Sequence, residues 1–122
     1  MTGNFDAQEY GEPPSSGALN SEEDAKQIIF NVEDLLDFGD QEQFTEEAIS
    51  GFIDEINKVV RWGKSHRFAS ANKSAILGRL RKAREELYRA RNNVGKNSVY
   101  TYIGKARSEL EEVLNAWKTK PS

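Results

Sequence analysis

The 122-residue sequence contains no cysteine, one methionine, one histidine and three prolines. Without cysteine there is no disulfide framework, no thiolate metal site and no thiol nucleophile. A single histidine leaves one imidazole for every base role. No apolar run exceeds three residues, which argues against a membrane span and a secretory hydrophobic region. The expectation from these absences is a cytoplasmic protein with no membrane partner. Strand patterns are almost missing as well. Only Ser98 to Ile103 alternates β-branched and aromatic residues, and a helical heptad through the same positions outweighs it.

Hydrophobic residues make up 37% of the chain, enough for one economical core in a single domain. The net charge of −3 hides two opposed halves. Met1 to Asn57 carries 15 acidic residues against one lysine, a balance of −14, while Lys58 to Ser122 carries 16 basic residues against five glutamates, a balance of +11. Such separation points to internal pairing of the halves or to a partner of one sign.

Residues 1–20 hold two prolines, three glycines and no helical or strand period, and read as a disordered acidic tail. Phe5 and Tyr10 among Asp6, Glu9 and Glu12 give that tail its only candidate for a short linear motif. Residues 21–120 read as an all-α, antiparallel, up-and-down four-helix bundle. Ser21 caps a first helix over 22–38, with Ile28, Ile29, Val32, Leu35 and Leu36 as its apolar positions and Gly39 as a left-handed stop. Thr45 caps a second over 46–63, with Phe44 and Ile49 as a hydrophobic staple. The third, 73–94, repeats apolar residues at Ile76, Leu80, Ala83, Leu87, Ala90 and Val94. The fourth, 98–118, does so at Val99, Ile103, Ala106, Leu110, Val113 and Trp117. Two heptad seams joined by so short a link form an antiparallel hairpin. Because the first helix has the fewest apolar positions, a three-helix body with that helix loosely docked is the main variant.

Two basic clusters are the candidate binding residues. Lys58, Arg61, Lys64 and Arg67 surround Trp62 and His66, with Phe68 following; cations neutralise phosphates while aromatic faces stack on bases. The same residues also serve as core plugs and cations at a helix C-terminus. In the third helix Arg81, Arg84, Tyr88 and Arg91 fall on one stripe. That stripe suits a nucleic-acid backbone, or else the chain's own acidic helices. The carboxylates of the first two helices read as a solvated face, since no EF-hand loop or E-x-x-H pair accompanies them. The expectation is therefore no metal, no cofactor and no catalytic residue.

Arg61 and His66 have the R-x4-H spacing, which resembles that of the HEPN ribonucleases, all-helical domains of similar size. The resemblance would imply RNA cleavage by that pair across a dimer. In that family, however, the pair lies late in the bundle. Here it ends the second helix, and Trp62 stands where a polar residue commonly follows the arginine. Only two residues carry the likeness.

The leading expectation is a small, non-catalytic protein that binds nucleic acid through backbone phosphates. About four neutralised phosphates would give a log K against log salt slope near −3.6 on a duplex. The alternative is a protein-interaction module, such as an adaptor, assembly subunit, antitoxin or immunity-type inhibitor, with a homodimer allowed. Its mark would be an exposed apolar patch around Tyr100, Tyr102 and Trp117, should the bundle not cover them.

Overall fold

The computed structural model describes residues 19–38, 44–68 and 72–118. The four helices are α1 (Glu22–Phe38), α2 (Glu46–Lys64), α3 (Lys73–Arg91) and α4 (Ser98–Lys118). They form an antiparallel bundle in which α1 packs on α2 and α4, and α3 packs on α2 and α4. Among these neighbouring pairs the closest packing is between α3 and α4, and the loosest is between α1 and α2.

The helix starts follow from side chains that satisfy orphan amides. Ser21 Oγ accepts from the Asp24 amide at 3.2 Å, and Asp24 Oδ2 accepts in return from the Asn20 amide at 2.9 Å, a reciprocal cap. Thr45 Oγ1 accepts from the Ala48 amide at 3.1 Å, beside a buried Phe44 and Ile49. Asn72 Oδ1 does the same for Ala75 at 3.2 Å. The helix stops were less legible. α3 ends at Arg91, three residues before the expected Val94. There Asn93 Nδ2 donates to the Arg89 carbonyl at 2.8 Å, and Gly95 turns the chain at φ +90°. That left-handed conformation favours glycine and cannot continue a helix. Val94 still packs half-buried on the core. α2 runs one residue past expectation, to Lys64, and Ser65 closes it by donating its amide to the Trp62 carbonyl.

Every α4 seam position and every α3 seam position up to Ala90 is buried. α1 is firmly docked: Ala25, Ile28, Ile29, Val32 and Leu36 are all buried, so the loosely docked variant is not what forms. Leu35, expected inside, is instead 51% exposed. It lies on the edge of the α1 stripe, lining an open cleft between α1 and α2. The tail expected over residues 1–20 lies outside the described residues except at Leu19, which is partly buried against the core, and Asn20. The expected stop at Gly39 also lies outside them. No helix among the described residues is long and apolar enough to cross a membrane.

Candidate nucleic-acid interface

α2 and α3 run antiparallel, and two arginines of α3 mark their register. Arg91 donates to Ser50 Oγ at 3.0 Å, and Arg84 donates to Asn57 Oδ1 at 2.8 Å. Both pairs step by seven residues on each helix, about 10.5 Å at 1.5 Å per residue. Continuing the ladder brings Lys64 level with Leu77, and the adjacent Gly63 confirms the closeness. A β-carbon built there would come within 2.8 Å of Leu77 Cδ2 and 3.2 Å of Phe68 Cζ, so any larger residue must push those side chains aside.

One turn outward from the ladder are Arg61 on α2 and Arg81 and Tyr88 on α3. To within one residue, the same register sets Arg61 level with Arg81, and Asp54 level with Tyr88. Arg61, Lys64 and Arg81 are exposed and make no hydrogen bond or ion pair with another described residue. Tyr88 is 37% exposed, and the Arg91 guanidinium lies 5.1 Å from its ring centroid.

The arginines on other faces behave differently. Arg79 meets Glu109 at 3.0 Å, and Arg89 meets Glu86 at 3.2 Å. Arg107 of α4 gathers Glu33 at 3.1 Å, Asp37 at 3.6 Å and Glu111 at 2.9 Å. Partial burial works to lower the Arg107 pKa, but hydrogen bonds to Glu33 and Glu111 and the charges of Glu111 and Asp37 leave it raised. The acidic first helix therefore meets α4, and the α2–α3 face keeps cations whose partners are neutral amide and hydroxyl oxygens.

The ten candidate residues thus divide. Arg61, Lys64, Arg81, Arg84, Tyr88 and Arg91 share the α2–α3 face, with Arg84 and Arg91 half-buried rather than fully exposed. Lys58 is off it, held by Glu55 at 3.0 Å. Arg67 is exposed in the segment after α2. Trp62 and His66 belong to an aromatic column that closes one end of the bundle. His66 stacks on Trp62 at 4.6 Å with planes 13° apart, Trp62 meets Phe68 at 5.6 Å, and Phe68 stacks on Trp117 at 5.4 Å. His66 Nδ1 sits 2.8 Å from the Trp62 carbonyl, placed to donate to it. Trp62 is therefore engaged inside the protein on its ring faces and is not an open stacking platform for a base.

Ser50 and Asn57 were missed by the sequence reading. Their signal is a polar residue every seventh position on α2, continued by Lys64. Of the apolar patch expected around Tyr100, Tyr102 and Trp117, only Tyr100 is exposed, at 37%, because Trp117 is 1% exposed beneath Phe68 and Tyr102 is half-buried. The exposed large apolar side chains of α1 are Phe30 and Leu35 instead. Among the described residues no three His, Asp or Glu side chains come together as a metal site. No protein-family model matches this chain, and neither curated proteins nor solved structures give a match.

Proposed function

We propose that this is a small, non-catalytic binding protein that holds nucleic acid on its α2–α3 face, mainly by the backbone phosphates. The observation that carries the reading is the segregation of partners. Arg79, Arg89 and Arg107 are taken by carboxylates, whereas Arg84 and Arg91 rest on neutral oxygens and Arg61, Lys64 and Arg81 on no described partner. A guanidinium on an amide or hydroxyl oxygen keeps its charge uncompensated and its remaining N–H donors available for a phosphate. Arg84 and Arg91 are also held in place by those bonds, which lowers the entropy lost on binding. With Trp62 closed inside the aromatic column, base stacking is left to Tyr88, so recognition rests on charge and not on sequence.

The test is anisotropy of labelled single-stranded and duplex oligonucleotides with wild-type protein, Arg81→Glu, and the triple change of Arg81, Arg84 and Arg91 to Glu. Helicity is monitored alongside. Arg81→Glu should weaken binding several-fold and the triple variant should abolish it, while Lys105→Glu on α4 leaves it intact. Equal loss in Lys105→Glu, or no loss in the triple variant, contradicts the assignment. A second reading, a protein-interaction module, is favoured by a different surface, the open acidic cleft between α1 and α2.

A further inference from the structure

Between α1 and α2, the most loosely packed neighbours in the bundle, lies an open cleft of about 570 Å³. Its floor is apolar, with Ile28 and Val32 from α1 and Ala48 and Phe52 from α2. The half-exposed Leu35 stands at its lip. Gly51 also lines it, and a β-carbon built on Gly51 meets no atom within 4 Å. The α2 backbone is open to close approach from outside at that point. The rim is acidic. Asp34 and Glu47 have no cationic partner among the described residues, and Glu55 holds only Lys58.

We infer that this cleft is a docking site for a cationic amphipathic helix of a partner protein. The lining runs from Ile28 to Leu35 on one helix and from Glu47 to Glu55 on the other, about 10–12 Å at 1.5 Å per residue. That length matches two turns of a third helix laid in the groove. Such a helix seats apolar anchors at i, i+3 or i+4, and i+7 on the floor. Lysines or arginines on its flanks then meet Asp34, Glu47 and Glu55, which selects the sign of the partner and steers its approach.

The chain's own segments do not fit. Residues 1–18 offer Phe5 and Tyr10, but Asp6, Glu9 and Glu12 beside them share the sign of the rim. The basic α3 of a second copy has the right sign, yet Tyr88 is its only exposed large apolar or aromatic side chain among the described residues. It cannot supply successive anchors. A polyanion is repelled by the same carboxylates, so the cleft and the α2–α3 face take different partners.

The test uses the full chain, nitrogen-15 labelled, and three synthetic peptides of about four helical turns. One carries leucines at i, i+3, i+4 and i+7 with lysines between them. The second replaces the lysines by glutamates, and the third replaces the leucines by serines. The first should bind with a dissociation constant of tens to hundreds of micromolar, shifting the amides of Val32, Ala48 and Gly51. The other two should bind at least about tenfold more weakly, a difference of about 1.4 kcal/mol. Gly51→Trp fills the open space and should weaken the first peptide by at least about tenfold. Leu35→Lys at the exposed lip should do the same, and it serves if the tryptophan disturbs the fold. Equal binding of the serine peptide, shifts centred away from the cleft, unchanged affinity in Leu35→Lys, or no binding near 1 mM overturns the inference. A wild-type dimer dispersed by Leu35→Lys would place a second copy in the cleft and overturn it equally. Neither variant touches Arg81, Arg84 or Arg91, so failure here is distinct from failure of nucleic-acid binding.

Discussion

Trp117 Nε1 donates a 2.8 Å hydrogen bond to Glu22 Oε2, tying the last turn of α4 to the first turn of α1. The Arg107 contact with Glu33 has nearly the same register further along the two helices. The helix with the fewest apolar resources, α1, is thus fastened to α4 near both its ends by polar bonds.

Glu22→Ala should destabilise the protein by about 1.5–3 kcal/mol, the range for a hydrogen bond to a charged partner whose donor is left buried. Glu22→Gln, which keeps an acceptor oxygen, should lose clearly less. Urea midpoints at constant slope measure both.

Two glycines of α2 should respond in opposite directions. Gly51→Ala meets nothing within 4 Å and should stabilise by about 0.5–1 kcal/mol through helix propensity alone. Gly63→Ala presses on buried Leu77 and on Phe68, and overpacking of about 1–3 kcal/mol outweighs the same gain. Its net effect should be a loss of about 1 kcal/mol, read from the melting temperature.

Much of the fold is legible because α3 and α4 carry their apolar residues at strict steps of three and four. Ile76 to Ala90 and Val99 to Trp117 needed only periodicity to be placed in the core. Leu35 was not placed correctly, because it sits at the edge of an otherwise regular stripe and its exposure depends on how far α2 lies from α1. Trp117 is placed in the core by the α4 period, yet the period does not show what covers it. Its cover, Phe68, comes from a connecting segment with no period. For the binding face, sequence spacing identified Arg81, Arg84, Tyr88 and Arg91 as one stripe. It could not show that the stripe faces α2, nor that Asn57 and Ser50, 27 and 41 residues away, are the acceptors. Lys58 neighbours Arg61 in the sequence, but its ammonium is held at 3.0 Å by Glu55, one turn earlier on the same helix.

Arg107→Met should be destabilising because it leaves Glu33, Asp37 and Glu111 together without their common cation. About 1–2 kcal/mol is expected for a network of this kind. The loss should shrink in salt, which screens attraction in the wild type and repulsion in the variant. Paired urea titrations at low and high ionic strength check this.

The most direct test of the α2–α3 face is the salt dependence of duplex binding by the wild-type chain. Four to five neutralised phosphates predict a plot of log K against log salt with a slope of about −3.6 to −4.5. Replacing Arg81, Arg84 and Arg91 by Glu should flatten it. Absence of salt-sensitive binding at protein concentrations near 10⁻⁴ M, the weak end of the non-specific range, would contradict the assignment of this face to a polyanion.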